Sequence, residues 1–404
     1  MNKGLKTLVS LLLVSCTVCV VSACGGEESA KKEIGIEAKA AQVDILKNQS
    51  TTPEITVTED GKPVTENISI VSDNACVVVE NGKLKGVSHG NAEITVSYKT
   101  KSEKFDVTVY DAFIDSEEDW WDLYNDLSGW YKLTTDITLS ESTIDHFDTG
   151  TGNGHTINKY FEGYLNGGEN EITYQFARLF SKVRNGAVIE NLKLTATEGF
   201  YWGAAIAFEL NASTVRNVSV NADFLYKDCW IVMDDGTSWI QAQGTGSLFY
   251  YVAEGSLIEN CDVVMDVSAV DGIRKFGAVA YLVENSTVKN CKAEVTTRAS
   301  EITKVPGVGS ETNSTIENVT VSYKSAEEAE YTVEYYLETE DGYVKDETNS
   351  EKLTGAIGKK MLLERKSITG YVFDEANENN VVEGIVAKDG SLVLKAYYKK
   401  QTAA

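Results

Sequence analysis

At 404 residues the chain is long enough for two or three domains, each able to bury a core. Thirty-seven Lys and Arg against 61 Asp and Glu give a net charge of −24, ill suited to a phosphate backbone or an anionic membrane face, so nucleic-acid binding is nearly excluded. The composition is that of an ordinary globular protein, 42% hydrophobic with 32 Gly and 3 Pro, and three His leave little room for a His-built metal centre or several acid–base dyads.

Lys3 and Lys6 precede an apolar run from Leu8 to Val21 that ends in Val21-Ser22-Ala23-Cys24-Gly25, which gives a basic n-region, an h-region and a small-residue cleavage site. The run is too short for a bilayer span of about 20 residues. Cys24, directly after two small residues, resembles the bacterial lipobox, which implies a signal peptide at 1–23 and acylation of the Cys24 thiol. Loss of two lysines and no acids leaves 35 against 61, a mature charge of −26. Residues 24–41, polar and small from Gly25 to Glu33, are expected to be a lipidated tether that holds the folded part at the extracellular face of the cell membrane. Cys76, Cys229, Cys261 and Cys291 remain, and they do not indicate a disulfide scaffold.

Residues 42–110 alternate apolar and polar in short runs such as Ile55-Thr56-Val57 and Ala92-Glu93-Ile94-Thr95-Val96, with turn signals at Asp60-Gly61, Asn81-Gly82 and His89-Gly90-Asn91. The order Ser72 to Val78, Asn81 to Val87 and Gly90 to Val96 resembles bacterial immunoglobulin-like domains of the second group, which implies a β-sandwich serving as a spacer or adhesive unit. Cys76 falls at an apolar core position of that pattern. His89 falls in a turn and is expected to be solvated.

Residues 111–325 carry an internal repeat. Ile189-Glu190-Asn191-Leu192, Val215-Arg216-Asn217-Val218, Ile258-Glu259-Asn260-Cys261, Val288-Lys289-Asn290-Cys291 and Ile316-Glu317-Asn318-Val319 recur with the asparagines 26, 43, 30 and 28 residues apart. Short alternating strands at that period suit the rungs of a parallel β-helix, where each rung buries its inward side chains on its neighbours. The Asn is expected in a left-handed turn with its amide bonded to the Asn above and below. The residue before it points outward and reads Glu190, Arg216, Glu259, Lys289, Glu317, alternating in sign, so adjacent rungs attract and hold register. Cys261 and Cys291 occupy stacked apolar positions and are expected as two buried thiols. The seven Asn-x-Ser/Thr triplets are better explained by the ladder than by glycosylation.

Ser116-Glu117-Glu118-Asp119 before Trp120 to Tyr124 marks a helix start, and Ser128-Gly129 its end, with a strand from Trp130 to Leu139 after it. Such a helix would cap the open end of a solenoid. With Phe161 to Gly167 and Gly203 to Phe208, the segment resembles bacterial right-handed β-helices of the pectate-lyase-like and GLUG-repeat kind. Residues 329–400, with Tyr331 to Leu337, Gly370 to Asp374 and Asp389 to Tyr398, resemble the β-grasp-like mucin-binding and internalin B-repeat modules of Gram-positive surface proteins. That implies contact with host glycoprotein, or a stalk. The expected fold class is thus all-β: an immunoglobulin-like sandwich, a right-handed parallel β-helix with an N-terminal capping helix, and a small C-terminal β-grasp-like domain.

A lyase on this scaffold needs clustered carboxylates for Ca²⁺ with an Arg or Lys base, and a glycoside hydrolase needs paired carboxylates. Neither constellation is visible. Asp234-Asp235-Gly236 is the nearest dyad and is also common turn chemistry; Asp145, His146, Asp148 and His155 are similarly weak. The 43-residue step exceeds a rung by about 15 residues, within Phe224 to Gly246, and holds Cys229, Trp230, Trp239, Asp234 and Asp235, with Trp202 one rung earlier. Loops inserted in solenoids sit on the surface, and exposed Trp faces stack on sugars. The same tryptophans could equally pack the loop onto the body. The expectation is a surface lipoprotein binding a neutral glycan or glycoprotein, without cofactor or metal, and the alternative is an extracellular polysaccharide lyase or glycoside hydrolase of the β-helix type.

Overall fold

The computed structural model describes residues 33–140, 160–175, 178–200, 204–224, 229–232, 239–242, 244–269, 275–298 and 305–401. They form an all-β structure with large parallel sheets and, among the described residues, one α-helix, Glu117–Leu123. No helix among them is long and apolar enough to cross a membrane.

Residues 33–110 fold by alternation. Strand Gly90–Tyr98 buries every second residue, with Ile94 and Val96 inaccessible, because successive side chains point to opposite faces. It pairs antiparallel with Lys101–Tyr110 and Ser69–Ser72, and Lys101–Tyr110 pairs parallel with Gln42–Leu46. The chain reverses at Asp60-Gly61 and Asn81-Gly82. All four residues have positive φ, as a two-residue type I′ turn requires. Cys76 is buried in the core beside Val77 and Leu84.

Two expectations are corrected in this region. The stretch assigned to the tether contains a strand, Ile34–Ala38, which pairs antiparallel with Ile55–Glu59 and buries Ile34. Its five residues are too few to stand out from the polar chain before them. His89 is not merely solvated: its ring lies parallel to Trp130, 5.6 Å between centroids, and its Nδ1 is 2.6 Å from Asp111 Oδ2. Asp111 also accepts from the Trp130 backbone N–H at 2.9 Å and from Lys47 Nζ at 3.0 Å. Burial raises the Asp111 pKa, but those three partners outweigh it and hold the carboxyl below its ordinary range. The residue between the two regions is therefore fixed to both.

Between Ala112 and Ser325 the pairing within the two large sheets is parallel. The repeat spacing is the strand register: Glu190 lies opposite Arg216, Arg216 opposite Glu259, Glu259 opposite Lys289 and Lys289 opposite Glu317. Ile189, Val215, Ile258 and Val288 are fully buried, and Leu192, Val218, Cys261 and Cys291 nearly so. Between each pair the ladder residue turns the chain. Asn191, Asn217, Asn260, Asn290 and Asn318 all have φ between 52° and 55°. Asn217 Nδ2 donates to Asn191 Oδ1 at 2.9 Å, Asn260 Nδ2 to Asn217 Oδ1 at 3.3 Å and Asn318 Nδ2 to Asn290 Oδ1 at 3.1 Å. Beside the ladder, Arg216 Nε pairs with Glu190 at 2.5 Å and Lys289 Nζ with Glu259 at 3.0 Å.

The stack is longer than the repeat. Strands Ala112–Ile114, Trp130–Leu133 and Tyr164–Asn166 precede Val188 in parallel register, and Asn191 donates to Asn166 Oδ1 at 3.3 Å. A second, six-stranded parallel sheet runs through Tyr160–Phe161, Phe180–Val183, Ala207–Asn211, Phe249–Ala253, Ala280–Glu284 and Val308–Thr312. Between the two sheets Ser213, Ser256 and Ser286 are buried, the Ser213 N–H donating to Ser256 Oγ at 3.3 Å and the Ser286 N–H to Ser314 Oγ at 3.2 Å.

Helix Glu117–Leu123 starts where expected, with Ser116 Oγ accepting from the Asp119 N–H at 3.2 Å. It ends earlier than Ser128, at Leu123, because Tyr124 turns inward and packs with buried Trp120 on Phe180. The expected Trp130 to Leu139 strand is two, Trp130–Leu133 and Ile137–Thr138. In the last region Glu328–Thr339 pairs antiparallel with Gly342–Lys345 and Glu351–Ala356 and parallel with Val393–Lys400, around Tyr331, Tyr335, Leu394 and Tyr398.

Candidate ligand-binding site

Among the described residues, the extra chain in the 43-residue step makes no further strand of either large sheet. Cys229–Val232 and Trp239–Ala242 pair antiparallel with each other, Trp230 opposite Gln241 and Val232 opposite Trp239. Gly244–Gly246 then pairs in parallel with Lys275–Gly277 and returns the chain to the stack. At this return only glycine fits: a Cβ on Gly246 would lie 2.0 Å from the Phe249 carbonyl oxygen, and one on Gly277 1.8 Å from that of Ala280. Trp230 and Trp239 thus occupy diagonal positions of one two-stranded ribbon. Asp234, Asp235, Trp202 and Cys24 lie outside the described residues, as do Asp145, His146, Asp148 and His155.

The six-stranded sheet carries a column of aromatic rings on successive strands. Phe208 stacks on Tyr250 at 4.6 Å and 17° between planes, and Tyr250 meets Tyr281 at 5.2 Å. The column ends over Gly309, where a Cβ would come within 2.3 Å of the Tyr281 ring. Alongside it, Lys182 Nζ lies 2.9 Å from Glu209 Oε2, and Arg184 sits over the Tyr160 ring at 4.0 Å. Tyr251 donates to Glu284 Oε2 at 2.7 Å; burial, that bond and nearby carboxylates push its phenol up to about 12. These groups are half-buried, paired and locked by in-register neighbours, so what the face offers a ligand is aromatic edges. A signal was present in the sequence, an aromatic at one position of three successive half-rungs, but alternation alone does not say which side of a strand it occupies.

Cys76, Cys261 and Cys291 are free, buried thiols. The Cys261 Sγ–H donates to the Glu259 carbonyl and the Cys291 Sγ–H to that of Lys289, each at 3.3 Å; the neighbouring Cys291 thiol and burial push Cys261 well above its ordinary value. Among the described residues no three His, Cys, Asp or Glu side chains form a group able to hold a metal ion. No protein-family model matches this chain, and no curated protein sequence matches it.

Proposed function

We propose that this chain is a lipid-anchored bacterial surface protein that works by binding a neutral glycan or a glycoprotein. In this view residues 42–110 form an immunoglobulin-like sandwich, 111–325 a right-handed parallel β-helix capped by helix Glu117–Leu123, and 329–400 a small β-grasp-like unit. The in-register parallel strands and the asparagine ladder support the β-helix. The lipobox-like Val21 to Cys24 supports the anchor.

The observation that carries the binding role is the separate ribbon of Cys229–Val232 and Trp239–Ala242, which interrupts the repeat and contributes nothing to the register of its neighbours. Extra chain of this kind on a repeat scaffold is where function concentrates, and its two tryptophans have the chemistry to stack on sugar rings. A mature charge of −26 disfavours uronate polymers and leaves neutral glycans or glycoprotein as the ligand class. The test is a glycan array and immobilised mucin with the full chain: binding is expected, and Trp230→Ala with Trp239→Ala is expected to abolish it. Unchanged binding in that double variant overturns the ribbon as the site. Depolymerisation of a purified polysaccharide that disappears in Asp234→Asn with Asp235→Asn favours the lyase or hydrolase alternative instead.

A further inference from the structure

A different face of the stack carries a second site. Just past the asparagine ladder, strands Glu171–Gln175, Val188–Phe200, Thr214–Phe224, Asp262–Asp266, Lys292–Thr297 and Thr320–Ser325 lie in parallel register. Their outer side holds two concavities of about 460 and 480 Å³ that share Asp262 and Lys292 and so adjoin. Each falls within the range of small-ligand sites, roughly 300 to 1,000 Å³. Together they follow the stack for five inter-strand steps of about 4.8 Å, about 24 Å in all.

The lining is regular and nearly free of net charge. One wall is the ladder: the side chains of Asn217, Asn260, Asn290 and Asn318 are exposed, and each amide joined into the ladder keeps a second N–H or a second lone pair for an outside partner. The floor presents Ser219, Asn221 and Ser322, and Val264, which is 45% exposed between Asn221 and Glu294. Three acids, Glu171, Asp262 and Glu294, meet two lysines of the lining, Lys193 and Lys292, and a third, Lys324, stands beside it. Asp262 lies directly opposite Lys292 in the register, and Lys324 pairs with Glu294. In a chain of net charge −24 this balanced strip stands apart.

We propose that this groove binds a neutral polysaccharide chain laid along the stack. A repeated array of amides, joined by the Ser219 hydroxyl and by Ser322 Oγ as an acceptor, matches repeated sugar hydroxyls, and Val264 meets the apolar side of a ring. Balanced charge gives no reward to a polyanion or a polycation. A linear repeating polymer also matches the elongated shape, because it meets the same kind of chemistry at every step. The groove shares its ligand class with the ribbon proposed above, but none of its residues.

Affinity electrophoresis of the full chain through gels holding a soluble neutral glucan, mannan or xylan tests the assignment, with polygalacturonate as the charged control. At least one neutral polymer is expected to retard the protein and polygalacturonate is not. Asn221→Arg, at an exposed position in mid-groove, is expected to weaken retardation at least tenfold, while Trp230→Ala with Trp239→Ala leaves it within about twofold. If Asn221→Arg lowers the melting temperature, Ser322→Arg in the same row gives the same readout. Retention by none of the neutral polymers, preference for polygalacturonate, or indifference to both arginine variants overturns the groove. So does Arg-sensitive binding of mucin that persists after its glycans are removed, which would assign the groove to a peptide. Loss of retardation in the tryptophan variant alone assigns the binding to the ribbon and overturns the groove, whereas loss in the arginine variants alone leaves the groove standing without the ribbon.

Discussion

Two corners of the parallel stack follow opposite rules. At the asparagine corner the spacing never varies: Ile189 and Leu192, Val215 and Val218, Ile258 and Cys261, and Val288 and Cys291 are each three positions apart. At the corner leading into the six-stranded sheet, register-equivalent residues are 11, 27, 15 and 13 apart, from Ala196 to Ala207, Ala222 to Phe249, Met265 to Ala280 and Val295 to Val308. The first corner is fixed because one residue must hold a left-handed φ and pass a hydrogen bond to the next repeat. An insertion of one residue there would turn core side chains outward. The second has no such relay, so chain can accumulate without disturbing the strands on either side.

The largest effect is expected where the fixed corner meets the core. Ile258→Ala removes a fully buried side chain between Val215 and Val288 and is expected to cost about 2–5 kcal/mol, read as a lower denaturation midpoint at unchanged slope. A cost below 1 kcal/mol would show that this corner is not rigid.

The ladder itself comes next. Asn217→Ala loses a bond to Asn191 and one from Asn260 and leaves a Cβ-bearing residue at φ 54° without its polar compensation; a cost of about 1–3 kcal/mol is expected. Asn217→Gly relieves the backbone part, so the difference between the two variants isolates the backbone from the amide relay. Equal losses would mean that the turn conformation contributes nothing.

A smaller effect is expected from Cys261→Val with Cys291→Val, because the same row already holds Val218. Less than about 1.5 kcal/mol in either direction is expected. The native thiols should resist alkylation until the protein unfolds. The two thiols shift in opposite directions, Cys261 up and Cys291 down, so their contributions to the alkaline pH dependence oppose each other.

What could be read from the residues divides along the same line. The fixed corner was legible because one residue type does two jobs there: Asn tolerates positive φ and bonds to its own kind, so the five-fold Asn pattern announced both turn and register. The charge alternation from Glu190 to Glu317 was legible because partners lie one repeat apart. The place of Asn166 in the ladder was not legible, since it sits one residue out of phase, opposite Glu190 and not Asn191. The clasp of His89 and Trp130 on Asp111 escaped because it joins segments distant in sequence, whereas the column of Phe208, Tyr250 and Tyr281 left a repeat-spaced signal that alternation could not assign to one side of the strand.

The smallest effect on stability is expected at the variable corner. Deleting the 16 residues 227–242 shortens the step from Ala222 to Phe249 from 27 to 11, the step already used between Ala196 and Ala207. Cys229–Val232 and Trp239–Ala242 pair only with each other, so their removal takes no hydrogen bond from the strands at Thr214–Phe224 or Phe249–Ala253. The deletion is therefore expected to change stability by no more than about 0.5 kcal/mol, the range of ordinary surface changes, while glycan or mucin binding through the ribbon is lost. A loss as large as that of Ile258→Ala would mean that the ribbon covers core, and the contrast between the two corners would fall with it.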